Sequence, residues 1–285
     1  MLQAGNLQTM KVERKAPFGY FLSDGQTEIL LHNNEANGTI SEGDSVQVFL
    51  YIDHQGRLAA TMQQPHIVLG EFGWLTVKDV NRRMGVFLDL GIHKELLLSK
   101  DDLPQEWSSW PEIGDRVFVG LKHDKKGRLL ARLGIGKELE EQAVKGTSNL
   151  VNQEVSGHIY RVINVGAFLF TTEGYIGFLH RDERTQPIRL GELITARVKS
   201  VRDDGHLNVT QMVSKKVGYE EDSQKILQLL QDRGGAMPYT DETEPDIIRT
   251  KFNISKGAFK RALGKLMKED LVYQEEGWTY LKTRG

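Results

Sequence analysis

Three phenylalanines occupy the same place in a short recurring motif. Gly19-Tyr20-Phe21-Leu22, Gly85-Val86-Phe87-Leu88 and Gly166-Ala167-Phe168-Leu169 all read Gly-x-Phe-Leu. Polar residues follow each copy at matching places. His32, Ser99 and His180 close the next apolar run, and Asp53/Arg57, Asp124/Arg128 and Arg202/His206 flank a later glycine. An outward phenyl ring is a face on which an unpaired base can stack, worth about 1–3 kcal/mol per base. A guanidinium contacts phosphate or stacks on a flat ring, and an imidazole can stack or donate a hydrogen bond. Together these residue types suit binding of bases and phosphates, with no bond made or broken.

Such side chains need a scaffold that repeats as they do. A glycine-acid pair opens a β-branched run at Gly43, Gly114 and Gly191, and a glycine turn follows at Gly56, Gly127 and Gly205. Four landmarks held in register three times mark a triplicated unit. The middle copy is longer within "DDLPQEWSSWPEIGD", a loop position where insertion costs little. Each copy reads as five short strands. In the third these fall at roughly 155–164, 166–171, 175–180, 193–201 and 206–212. About 60 residues of this kind with glycine turns predict a small closed Greek-key barrel of the OB type.

Phe and Leu are consecutive in each motif, so they point to opposite faces of a strand. Leu22, Leu88 and Leu169 are expected inside, with Phe21, Phe87 and Phe168 outside. A bulge at the preceding glycine would turn Phe18 outward beside Phe21. The plainer alternative packs these rings against a neighbouring domain or in the core.

Gly-x-Phe-Leu, the following "LH", the "GD" and the "D-x-x-Gly-Arg" turn together resemble the ribosomal S1-type RNA-binding domain. Copy one matches throughout, at Phe18, Phe21, His32, Asp53 and Arg57. Copy two has Met84 and Ser99 in place of the first aromatic and the His, and keeps Phe87, Asp124 and Arg128. Copy three has Val165 for the first aromatic, keeps Phe168 and His180, and offers Arg202 and His206 at its turn. The resemblance implies binding of single-stranded RNA through these positions.

The pattern changes after about residue 218. "EEDSQKILQLLQDRGG" (220–235) has helical apolar spacing and ends on two glycines. "EPDIIRTKF" (244–252) follows, with Pro245 suited to a first helical turn. Ser255 is the expected cap of a third helix with an apolar stripe of Phe259, Leu263, Leu266 and Met267. A hairpin over 271–281 completes a winged helix. Its third helix carries Lys256, Lys260, Arg261, Lys265 and Lys268, which can meet phosphate.

The expected fold is therefore multidomain and mainly β. Three tandem OB-fold (S1-like) five-stranded barrels precede a C-terminal α+β winged helix-turn-helix domain. The expected boundaries are 1–65, 66–146 with a linker helix, 147–218 and 219–285. The stretch 134–153 reads as a short helix and linker that would let the barrels on either side move. This order of domains resembles the whole architecture of the bacterial conserved virulence factor B (CvfB) family. The resemblance implies an RNA-binding regulator of gene expression, acting post-transcriptionally and linked to virulence.

Charge does not follow the aromatics. Segment 1–65 has net charge −3, 66–146 is neutral, 147–218 is +2 and 219–285 is −1. Copy three and the basic helix are thus expected to supply long-range attraction, and copies one and two to add stacking. The chain has no cysteine, which excludes disulfides, thiol nucleophiles and cysteine-based zinc sites. It has no apolar run long enough to span a bilayer and no secretory signal pattern, so a cytoplasmic location without membrane contact is expected. "GIGKE" (134–138) has the wrong spacing for a phosphate loop, and no His-Glu-x-x-His helix or nucleophile elbow is present. No catalytic, cofactor-binding or metal-ligating residue is assigned. The expected partner is single-stranded RNA, with translation or RNA-decay machinery beside it. The alternatives are a protein-docking scaffold on ribosome, polymerase or nuclease, and duplex DNA binding through the winged helix.

Overall fold

Each Gly-x-Phe-Leu motif forms the second strand of a closed five-stranded barrel in the computed structural model of the chain. The structure describes residues 2–212 and 215–282, with the side chains of 215–221 left aside. The first barrel comprises β1 (Leu7–Ala16), β2 (Gly19–Ser23), β3 (Glu28–His32), β4 (Ser45–Ile52) and β5 (Leu58–Thr61). The second comprises β6 (Phe72–Asn81), β7 (Gly85–Leu88), β8 (Leu96–Ser99), β9 (Arg116–His123) and β10 (Leu129–Leu133). The third comprises β11 (Glu154–Ile163), β12 (Gly166–Thr171), β13 (Ile176–His180), β14 (Leu193–Val201) and β15 (Leu207–Thr210). In all three the strand order is first-second-third-fifth-fourth, closing on the first. Closure leaves no free sheet edge.

Alternation along the second strand does what the motif implies. Leu22, Leu88 and Leu169 are fully buried in the three barrel cores, while Phe21, Phe87 and Phe168 lie half-buried on the outer face. The motif glycine has a different task from the one expected. A Cβ at Gly19 would stand 2.3 Å from the Leu31 carbonyl oxygen, and Gly85 and Gly166 meet the same obstacle at Leu98 and Leu179. Only glycine lets the second strand press this closely on the third. The bulge lies instead on the neighbouring first strand, between Val12 and Arg14, Val77 and Asp79, and Ile159 and Arg161. It inserts one residue and resets the inside-outside alternation.

The barrels are not beads on a loose string. Phe49 of the first barrel is buried in the core cluster of the second, and the Leu69 N–H donates to the Gly5 carbonyl at 2.7 Å. Between the second and third, Leu190 enters the second barrel's cluster and Arg189 donates to both oxygens of Asp115 at 2.7 and 3.2 Å. The expected linker holds one short helix, α1 (Lys137–Glu140), and it is docked rather than free. Its Leu139 is fully buried with Phe118 and Tyr160, amid Phe72, Trp74, Phe168 and Phe170. That aromatic seam joins the two barrels and opposes the motion the linker composition suggested.

The chain divides into two compact units, Met1–Gln211 and Met212–Gly285. The second contains α2 (Lys215–Asp232), α3 (Pro245–Phe252), α4 (Lys256–Lys268) and a three-stranded sheet. Its strands are β16 (Ala236–Met237), β17 (Val272–Glu275) and β18 (Trp278–Leu281), in the order β16-β18-β17. Pro245 starts α3, and the Ser255 hydroxyl caps α4 by accepting the Ala258 N–H at 3.2 Å. Ile226, Leu230, Ile248, Phe252, Phe259, Leu263 and Leu266 form the core. Met267, expected in that stripe, is exposed, and Ala262 takes the buried place.

Candidate nucleic-acid interface

The outer face of the first barrel gathers the copy-one residues. Phe18 precedes β2, is 49% exposed, and meets the Phe21 ring edge to face with centroids 6.1 Å apart. The bulge in β1 places Arg14 opposite Phe21 in the ladder. Its guanidinium lies 3.6 Å over the Phe21 ring and is held by Glu28 at 3.1 Å. This cation-π partner was hidden from sequence counting. Strict alternation from buried Val12 would send Arg14 inward, and only the bulge turns it out.

His32 ends β3 opposite Gly19. Its Nδ1 accepts the Asn34 N–H at 3.3 Å and so caps the following 3-10 turn. His180 caps the equivalent turn through Asp182, and Ser99 caps the one in copy two. Capping explains why His and Ser alternate here, since both offer an acceptor to the backbone. With Nδ1 engaged by the backbone, Nε2 is the ring nitrogen left for a ligand.

The glycine turns show what Asp53 and Asp124 do. Asp53 Oδ1 accepts the Gln55 and Arg57 N–H groups at 2.8 and 2.9 Å, and Oδ2 accepts Arg57 Nε at 2.9 Å. Asp124 repeats this with Lys126 and Arg128. Burial pushes the Asp53 carboxyl up, but hydrogen bonds from Arg57 and Gln55 outweigh it and hold the group below the usual carboxylate range. Both acids are therefore spent on the turn and on aiming an arginine. In copy three Arg202 and His206 both face Asp204, at 3.0 and 3.7 Å.

The packing of barrels one and two merges their residues. A cleft of about 590 Å³ is lined by His32, Glu35, Tyr51, Asp53 and Arg57 from the first and by Phe87, His93 and Lys94 from the second. A neighbouring cleft of about 300 Å³ shares Tyr51, Phe87 and Lys94 and adds Met84 and Arg128. Burial, with the carboxylates of Glu35 and Asp53 nearby, pushes the Tyr51 hydroxyl up to about 12, so it stays a neutral donor. Lys94 donates to the Ile52 carbonyl and pins the barrels together; burial draws its ammonium below the ordinary lysine value. His93 and Lys94 carry no repeat signature. Glu35 does, because it holds the acidic place of Asp102 and Glu183, and Tyr51 stands where copies two and three have their partners Lys122 and Lys199.

Copy three is built differently. Phe168 pairs across the ladder with Phe178, ring centroids 5.0 Å apart, and lies 6.1 Å from Tyr160 of the seam. Arg161 stands opposite Phe168, 5.9 Å from its ring, and His180 sits 6.3 Å from Phe178. One edge of this platform thus serves the seam, as the packing alternative anticipated, while its other side stays open with His180 and Phe178. Asn208 lies beside Phe178 on β15.

On α4, Lys256 donates to the Glu242 carbonyl at 3.2 Å, and Lys260 and Lys265 pair with Asp241 and Glu269 at 3.1 and 3.8 Å. Arg261 is exposed on the same helix. The acids near the helix mute its field. The wing adds aromatics that composition did not flag. Tyr273 and Tyr280 stack at 5.2 Å, and Trp278 lies 6.4 Å from Tyr280, with Tyr273 and Trp278 exposed. Among the described residues no group of three or more His, Asp or Glu side chains can hold a metal ion. No helix among them is long and apolar enough to cross a membrane.

These features define a chain of tandem S1-like OB barrels followed by a winged helix, both of them nucleic-acid-binding domain types. Family models match along its length: an S1 domain over residues 4–63, the CvfB first S1-like domain over 72–132, the second domain of virulence regulatory factor CvfB over 139–212, and the CvfB-like winged helix domain over 224–281. The chain belongs to the conserved virulence factor B (CvfB) family. It is 42% identical over 281 residues to YitL of Bacillus subtilis (strain 168), covering 99% of this chain and 94% of that one. It is 31% identical over 285 residues to conserved virulence factor B of Staphylococcus aureus (strain N315), covering 99% and 95%. A crystal structure described as a multidomain protein with nucleic acid binding domains, from Streptococcus pneumoniae TIGR4, superposes with a TM-score of 0.64 at 32% identity over 98% of each chain.

Proposed function

We propose that this protein binds single-stranded RNA through its three barrels and regulates gene expression post-transcriptionally, without catalysis of its own. The observation that carries the reading is the cleft of barrels one and two, where Phe87, His32 and Arg57 from two repeats converge. Stacking faces beside phosphate-reaching arginines suit an unpaired strand and not a duplex, whose bases are already stacked. The binding residues in this reading are Phe18, Phe21, His32, Arg57, Phe87, Arg128, Phe168, His180, Arg202 and His206. Arg14 and Arg161 join them as partners of Phe21 and Phe168. The domains are assigned to 1–65, 66–146, 147–218 and 219–285, and the site of action to the cytoplasm. The name of the staphylococcal relatives makes a role in virulence the natural setting.

For the winged helix, a docking role has its own support. Its lysines lean on Asp241, the Glu242 carbonyl and Glu269, and its wing exposes Tyr273 and Trp278 beside half-buried Tyr280. Translation or RNA-decay machinery is the partner class, with duplex DNA the competing ligand for Lys256, Lys260, Arg261 and Lys265. The test is binding of the full chain to single-stranded RNA, single-stranded DNA and duplex DNA of equal length across a salt series. Salt-sensitive preference for RNA is expected. No binding to any of the three at low salt overturns the reading and leaves the repeats as protein-docking modules.

A further inference from the structure

Two side-chain oxygens among the described residues are buried with no hydrogen-bond partner, Oε2 of Glu35 and Oε2 of Glu138. Glu138 faces Arg132 at 3.7 Å on the outside of the second barrel. Glu35 is different, because it lines the 590 Å³ cleft between barrels one and two. Its Oε1 meets Nδ1 of His93 at 3.1 Å, across the junction of the two barrels. The other carboxylate of barrel one in the cleft, Asp53, has its oxygens filled by its own turn and by Arg57. Glu35 is thus a half-used acceptor, 13% exposed, in a cleft whose lining also holds rings, donors and the carboxylates of Asp53 and Glu95.

A buried acceptor without a donor is unfavourable until something supplies one. A carboxylate also repels phosphate, so Glu35 adds nothing to affinity for a nucleic-acid backbone. Facing a base it discriminates instead. Presenting both oxygens to a base requires Glu35 to leave His93 and turn its carboxylate edge to the cleft, a change its soft last torsion permits. Two carboxylate oxygens side by side match two adjacent N–H donors. Guanine alone presents that pair, at N1–H and its exocyclic amino group. Adenine and cytosine place a ring-nitrogen lone pair beside their amino group, which would face a carboxylate oxygen. Uracil has one N–H flanked by two carbonyls, so a second carboxylate oxygen would again meet an acceptor.

We propose that the cleft between the first two barrels is a guanine-reading subsite, with the base stacked on Phe87, its N1–H and amino edge on Glu35, and its phosphate toward Arg57. The inference rests on the single-strand reading above and adds base identity to it. The cleft volume is ample for one nucleotide. Rejection of other bases comes from placing lone pairs against a carboxylate, a repulsive device rather than an added attraction.

The test uses the full chain and oligouridine twelve-mers carrying one central guanine, inosine, adenine or cytosine. The expected result is about tenfold tighter binding of the guanine oligomer than of all-uridine RNA. Inosine, which lacks the amino group, should lose most of that gain. In Glu35→Gln the ratio of guanine to uridine affinity should fall to about one, and Glu35→Asp should fall between. The base series on the unaltered chain needs no variant and so stands if Glu35→Gln fails to fold. Equal binding of all central bases, an inosine oligomer as good as guanine, or an undiminished ratio in folded Glu35→Gln overturns the subsite while the single-strand reading survives. Absence of binding to every oligomer removes both.

Discussion

Phe87 and Leu88 are neighbours whose replacement by alanine should have opposite consequences. Phe87 lies half-buried at the mouth of both clefts shared by barrels one and two, whereas Leu88 is fully buried in the second barrel. Losing one stacked base costs about 1–3 kcal/mol, which corresponds to about 5- to 150-fold in dissociation constant. Phe87→Ala should therefore weaken binding of single-stranded RNA within that range. Phe87 carries no charge, so the slope of log affinity against log salt should not change. Arg128→Ala should lower that slope by about 0.7, the signature of one phosphate contact to a single strand. Leu88→Ala leaves a hole where no strand can reach and should cost about 2–5 kcal/mol of stability. Its RNA affinity should hold at temperatures where it stays folded. Fluorescence anisotropy at several salt concentrations, with thermal unfolding of each variant, reads all of these. A folded Phe87→Ala protein that binds RNA within twofold of the parent would refute the stacking assignment. The ring would then be a packing residue of the junction.

Two further outcomes follow from the charged contacts. Asp53 has its folded-state pKa depressed by Arg57 and Gln55, so its contribution is present above its unfolded value near 4 and is lost as pH falls through the folded value. Denaturant unfolding should show Asp53→Asn less stable than the parent at pH 7, with the difference shrinking as pH falls below the unfolded value near 4; a difference that does not shrink there would sink the assignment. Arg189→Met leaves Asp115, nearly buried, without its main partner and should cost about 2–3 kcal/mol, at the lower side for a broken buried pair because Arg189 keeps some water. Protease cleavage within 134–153 should accelerate in that variant, and an unchanged rate would mean the aromatic seam alone holds the second and third barrels together.

Most of the barrel architecture was legible because period-two alternation and glycine spacing are local signals. The strands expected for copy three at 155–164, 166–171, 175–180, 193–201 and 206–212 lie within two residues of β11 to β15 at each end. The burial of Leu22, Leu88 and Leu169 followed from the same rule. What stayed hidden depends on events that a period cannot encode. The bulge that turns Arg14 and Arg161 outward breaks the count at one residue. The glycine requirement comes from a carbonyl on the next strand. The short strand β16 has two residues, too few to show a pattern. Cleft and seam arise from the way whole barrels pack, so His93 and Tyr160 could not be singled out beforehand, whereas Glu35 could have been marked by the acids in register with it, Asp102 and Glu183.

Triplication followed by rigid packing takes up part of each barrel's open surface. A lone S1-like barrel must keep its whole aromatic face open to bind a strand. Once three barrels are welded, some of that face is consumed. In copy three the bulge residue itself, Tyr160, becomes seam, and Phe168 touches it. Phe178 and His180 then carry the open part of the platform. In copy two the first aromatic position is Met84 and the His position is Ser99, yet Phe87 is kept, at the junction with copy one. Copy one keeps Phe18 and Phe21 at its own surface and lends His32 and Arg57 to the shared cleft. Packing does not account for Met84 and Val165, which replace the first aromatic at positions that stay exposed. It does account for the way Phe168 is shared with the seam and Phe87 with the junction.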